Sequence, residues 1–125
     1  MKILYKYPTR DRPLKFSKCI NEYYKLMDRT SDFNFIVTVD EDDKKMNDES
    51  VIDFMNQIPK CKHVFGNSST KIEAINADIP NDDWDILVLI SDDMIPEVAG
   101  FDDIIRQKMM KHFPDTDGVL WFFDG

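Results

Sequence analysis

Runs of strand type and runs of helical period alternate along the whole chain, and this alternation limits the folds open to it. Residues 3–7, 33–39, 63–65, 86–90 and 119–123 form short segments rich in β-branched, apolar and aromatic side chains, the composition of strands. Between the first two, Phe16, Ile20, Tyr23 and Met27 recur at helical spacing, with Cys19 and Leu26 beside them, behind Pro13, which suits a first helical turn. Val51, Ile52, Met55 and Ile58 mark a second helix, capped by Asn47 or Asp48 and ended by Pro59. A third is capped by Ser68 or Ser69, with Ile72 and Ile75 expected to face inward and Pro80 ending it. Phe101, Ile104, Ile105 and Met109 mark a fourth. The order β-α-β-α-β-α-β-α-β predicts an α/β fold: a Rossmann-like, mostly parallel sheet sandwiched by helices. Ile86 to Ile90 is apolar at every position. Strands buried on both faces read this way, so it is expected in the middle of the sheet.

The length of 125 residues fits a single domain spanning 1–125. Twenty-four acids against sixteen Lys and Arg give a formal net charge of −8. That balance weighs against nucleic-acid binding, which needs basic surface to neutralise phosphates, and against docking on anionic membranes. No apolar run reaches membrane-spanning length and no leader pattern opens the chain, so the expectation is a cytoplasmic protein without a membrane span. Cys19 and Cys61 lack paired spacing and read as reduced thiols. His63 and His112 read as structural. The final strand, Val119 to Phe123, carries two Phe and a Trp and is expected to make a homo-oligomer contact.

In a parallel sheet, ligands bind beyond the carboxyl ends of the strands. Four segments follow strands here: Pro8-Thr9-Arg10, Asp40 to Asp43, Gly66 to Ser69 leading to Lys71, and Ser91-Asp92-Asp93. Taken alone, Asp40 to Asp43 reads as a solvated acidic loop, and Arg10 and Arg12 as surface partners of Asp11. Asp92 and Asp93 are harder to explain structurally, because adjacent like charges repel at the end of an apolar strand. Two carboxylates so presented can hold a hard divalent cation, Mn²⁺ or Mg²⁺, that keeps open positions for phosphate oxygens. Arg10 and Lys71 are placed to meet a diphosphate.

These residues resemble the nucleotide-binding half of GT-A fold glycosyltransferases, especially the family 2-like group. The segment Asp85 to Asp93 is similar to the family's apolar strand ending in a DxD-type motif, with Ser91 in place of the first acid. Tyr7-Pro8-Thr9-Arg10 resembles its first loop, Val39 to Asp42 its second-strand motif, and Lys71 to Asn76 its basic-residue helix. The resemblance implies a UDP-sugar donor bound by Pro8, Thr9, Arg10, Asp40, Lys71 and Asp92. In it Asp93 ligates the metal, Asp92 faces the ribose and Asp40 reads the base. It implies metal-dependent, hexosyltransferase-like transfer to an unknown acceptor. Family members run to about twice this length, the further part carrying the acceptor site and an acidic base; Asp124 is the acid nearest that role. The alternative is a non-catalytic or truncated module that binds UDP and metal. A haloacid-type phosphatase fits less well: Asp40-x-Asp42 is present, but Asp43-Lys44 follow where Thr or Val is needed.

Overall fold

The computed structural model describes residues 1–80 and 83–120, Lys71 by its backbone alone. Strands β1 (Ile3–Pro8), β2 (Phe33–Asp40), β3 (Cys61–Gly66) and β4 (Ile86–Leu89) pair in parallel in the order β3-β2-β1-β4. They alternate with helices α1 (Pro13–Leu26), α2 (Glu49–Asn56), α3 (Lys71–Asn76) and α4 (Phe101–His112). The α/β architecture expected from the alternation is therefore present through residue 112. Val119 and Leu120 lie outside any strand, and the rest of the expected final strand, with its homo-oligomer contact, lies outside the described residues. No helix among the described residues is long and apolar enough to cross a membrane.

Side chains alternate across a strand, and the register places Ile3, Tyr5 and Tyr7 beside Phe33, Phe35 and Val37. This face carries the aromatic core. The Tyr5 ring stacks on Phe35 with centroids 4.4 Å apart and meets Tyr23 of α1 and Phe101 of α4 edge-on at 6.0 and 6.4 Å. Phe16 of α1 meets Tyr7 at 5.2 Å and Phe54 of α2 at 6.1 Å. Edge-to-face contacts of this kind add specific attraction to the area buried, and they lock three helices onto one face. On the opposite face Leu4, Lys6, Ile36 and Thr38 are also buried. There the Lys6 ammonium donates to Thr38 Oγ1, and the Thr38 hydroxyl donates to Asp78, just past α3.

Two expectations need correction. Among the described residues β4 pairs with β1 alone, and Leu89 is 44% exposed. The most deeply buried strands are β1 and β2. Hydropathy under-reads β1 because Lys6 and two tyrosines interrupt it, yet Lys6 finds its partner inside the fold. The second concerns α3. Its cap is Thr70, whose Oγ1 accepts from the Glu73 N–H at 3.1 Å, while the Glu73 carboxylate accepts from Ser69 N and Oγ at 2.8 and 2.9 Å. Ile72 is 71% exposed rather than inward-facing; it stands in the first turn of a six-residue helix that starts beyond the end of β3. In α1 and α2 the expectations hold: Phe16, Ile20, Tyr23 and Met27 are buried, and Asp48 caps α2 by accepting from Ser50 N at 3.1 Å.

All four tyrosines (5, 7, 23 and 24) have hydroxyls pushed above the usual value of 10.0, in each case chiefly by burial. A phenol whose folded value exceeds its unfolded one contributes stability below the unfolded value, and that contribution is lost as pH rises past it. Alkaline titration is therefore expected to show tyrosinate absorbance rising together with loss of far-ultraviolet circular dichroism, in one cooperative step beyond about pH 10. A gradual tyrosinate titration in a still-folded protein would contradict this burial.

Candidate functional site

The strand order reverses between β1 and β4, because the chain runs outward through β2 and β3 and then returns to the other side of β1. A crevice forms at such a reversal, beyond the strands' carboxyl ends. Pro8, Thr9 and Arg10 leave β1 there, Asp40 ends β2, and Ser91-Asp92-Asp93 follow β4. Lys71 begins α3 after β3.

Two contacts tie the segments after β1, β2 and β4 together. Asp92 is held against β1: its Oδ1 accepts from the Tyr7 hydroxyl at 2.5 Å and from Thr9 Oγ1 at 3.1 Å, and Thr9 also lies 3.3 Å from Oδ2. Arg10 bridges to the end of β2, with Nη1 2.6 Å from Asp40 and 3.0 Å from Asp42. Bonding to Asp42 and Asp40 pushes the Arg10 guanidinium further up, and the same contact holds the Asp42 carboxyl below the usual carboxylate range. Arg10 thus pairs across the rim rather than with Asp11, which lies 3.6 Å from Lys45. Asp93 points outward, 75% exposed, with Lys15 at 3.7 Å.

The loop carrying the acids is anchored from behind. Tyr23 donates to the Met94 carbonyl at 2.7 Å, and the Cys19 thiol lies 3.6 Å from the carbonyls of Ser91 and Met94. Burial pushes the Cys19 thiol up, consistent with an inert, reduced side chain.

The sequence places Thr9, Arg10, Asp40, Lys71 and Asp92 on one rim without pairing them, and the structure brings Thr9 onto Asp92 and Arg10 onto Asp40. Sequence reasoning did not assign roles to Tyr7, Lys6 or Asp43. Tyr7 could have been found by strand period, since positions 7 and 9 share a face. Asp43, expected within a solvated loop, is buried and accepts from the backbone N–H of Asp11 at 2.7 Å and of Met46 at 3.2 Å. Those two amides need an acceptor once the loops close over them, so this acid joins the β1 and β2 loops. Asp124 lies outside the described residues.

Among the described residues, no group of three or more His, Cys, Asp or Glu is gathered as a metal cage. What the rim does offer is one outward carboxylate, Asp93, beside a second that is partly engaged. This suits a cation that takes one or two protein oxygens and completes its shell with phosphate and water, as Mg²⁺ usually does. It does not suit a preformed all-protein site.

No family model matches the sequence, and no curated protein matches it. Among solved structures, the chain is similar to residues within TarS 1–349 of S. aureus, a glycosyltransferase, with a TM-score of 0.68 and 14% identity. The match covers 90% of this chain and 33% of that one. The chain therefore has a glycosyltransferase-like fold and spans about a third of the length of that solved chain.

Proposed function

We propose that the rim binds a UDP-sugar together with Mn²⁺ or Mg²⁺, and that the chain is the donor-binding part of a glycosyltransferase. One observation carries this reading: along the rim at the carboxyl ends of β2, β1 and β4, an arginine–carboxylate pair (Arg10 with Asp40), a pinned carboxylate (Asp92) and an outward carboxylate (Asp93) stand in a glycosyltransferase-like fold. Each matches a different part of a nucleotide diphosphate. In the proposal Asp40 accepts from a uracil N–H and Arg10 moves from Asp40 onto the nucleotide. Asp92 accepts from a ribose hydroxyl. Pro8 and Thr9 form the wall against which the nucleoside packs, and Lys71, opening α3, supplies charge toward the diphosphate. Asp93 and the diphosphate oxygens would hold the cation, which when bound neutralises charge on the leaving group. The proposed base toward the unidentified acceptor is Asp124.

Calorimetric titration with UDP, with and without Mn²⁺, tests the reading. Saturable UDP binding that requires Mn²⁺ and is reversed by a chelator is expected. Absence of UDP binding in both conditions would sink the proposal. A parallel donor-hydrolysis assay separates the enzyme from a non-catalytic binding module, the second reading, which the match to only 33% of the TarS chain keeps in play. Tight binding without hydrolysis or transfer favours the module.

A further inference from the structure

We propose that Tyr7 is a positioning residue for Asp92: its phenol, with the Thr9 hydroxyl, fixes one carboxylate oxygen against β1, so that Asp92 offers a single free edge to the nucleotide and cation binding falls to Asp93. This rests on the donor-site reading above. The contacts are direct. Tyr7 and Thr9 both donate to Asp92 Oδ1, at 2.5 and 3.1 Å, and the Thr9 hydroxyl lies farther, 3.3 Å, from Oδ2. The Tyr7 ring is fully buried and held edge-on by Phe16 at 5.2 Å, so its hydroxyl cannot follow a moving acceptor. Burial first, and then the bond to Asp92, keep the phenol protonated well above its ordinary range. The phenol is therefore the donor in its bond to Asp92.

The division of labour follows from lone pairs. A carboxylate with one oxygen taken by two hydroxyl donors cannot turn both oxygens to a cation without breaking those bonds. Asp93, next in the chain, has no hydroxyl donor among the described residues and is largely exposed. The backbone under both acids is held by other groups, Tyr23 on Met94 and Cys19 on Ser91 and Met94. Removing the Tyr7 hydroxyl therefore leaves the Asp92 side chain held by Thr9 alone, with its loop in place. The ring, and with it the core packing, is retained in Tyr7→Phe.

A double-mutant cycle tests this, with UDP in the presence of Mn²⁺ as the probe. Affinity is read by ligand-observed NMR, which follows weak as well as tight binding. Tyr7→Phe in the otherwise unchanged chain is expected to weaken UDP about tenfold, while in an Asp92→Ala background the same change has an effect within about twofold, the signature of two groups acting as a unit. Equal losses in both backgrounds would show that Tyr7 acts by some route other than Asp92, and no loss in the first would show that it does not act at all; either overturns the proposal. Thr9→Val across the same two backgrounds gives a second cycle with the same expected non-additivity, and it decides the matter should Tyr7→Phe fail to fold. An unaltered chain that does not bind UDP overturns the donor-site reading and this proposal with it, before any variant is compared.

Discussion

Asp93→Asn is expected to reduce Mn²⁺-dependent UDP affinity, and any sugar transfer, by at least about 100-fold while leaving the melting temperature unchanged. The two halves of this expectation have different sources. The functional half follows from the proposed ligand role. Hard divalent cations need anionic oxygen, and Asn keeps the size of Asp but replaces its charge with a neutral amide. Asp92, with Oδ1 held by Tyr7 and Thr9, cannot offer a cation both oxygens and so replaces Asp93 only in part. The stability half follows from geometry. Asp93 is 75% exposed, and its 3.7 Å approach to Lys15 is a surface contact of a kind worth little. Thermal melting and a Mn²⁺ titration of UDP binding check the two halves separately. An Asn variant that binds UDP as well as the parent, with the same Mn²⁺ requirement, would remove Asp93 from the metal site. It would leave the contacts of Asp92 untouched.

Which parts of this picture were legible in the sequence follows from the range of the forces involved. Helix α1 was legible because its signal is local: Phe16, Ile20, Tyr23 and Met27 recur at 3.6-residue spacing, and all four are buried. The α2 cap at Asp48 was legible for the same reason, since a cap bonds within one turn. The position of β4 was not. The apolar run Ile86 to Ile90 reports its own composition, whereas the order β3-β2-β1-β4 depends on pairings between distant segments. Lys6 sits in buried β1, and only its contact with Thr38, 32 residues away, explains how a lysine is tolerated there.

The site divides along the same line. That the strand ends share one rim follows from parallel topology alone, which is why Thr9, Arg10, Asp40 and Asp92 could be placed there; the pairings Arg10 with Asp40 and Thr9 with Asp92 came from the structure. Which donor each acid takes is decided by loop geometry over a few ångströms, which spacing does not encode. For this reason Tyr7 on Asp92 and the amides of Asp11 and Met46 on Asp43 emerged only from the structure. The same limit kept Asp102 unnoticed within the helical pattern of α4.

Asp102→Ala is expected to destabilise the fold by about 3–5 kcal/mol, the range seen when one partner of a buried ion pair is removed, without weakening UDP binding by the folded fraction. Asp102 lies in the first turn of α4, after Gly100, whose φ of +76° suits the only side-chain-free residue. Its side chain is 1% exposed. The carboxylate accepts from Asp28 N at 3.1 Å, Ser31 Oγ at 3.2 Å and Arg106 Nη1 at 3.0 Å. Arg106 in turn donates to the carbonyls of Met1 and Asp32 at 2.9 and 3.1 Å. One acid thus fastens α4 to the turn between α1 and β2 and, through Arg106, to the residues that enter β1 and β2. Alanine leaves the Asp28 amide without its acceptor and Arg106 without its buried counter-charge. Against a total stability of about 5–15 kcal/mol for a domain of ordinary size, this is a large fraction. Urea unfolding should show a lowered midpoint with an unchanged slope. The cluster is at the amino-terminal edge of the sheet, opposite the rim that carries Thr9, Asp40 and Asp92, so UDP affinity measured well below the melting temperature should match that of the parent. A loss of stability under about 1 kcal/mol would mean that water replaces the carboxylate at little cost, and that α4 is held chiefly by Phe101 and Met109 in the aromatic core.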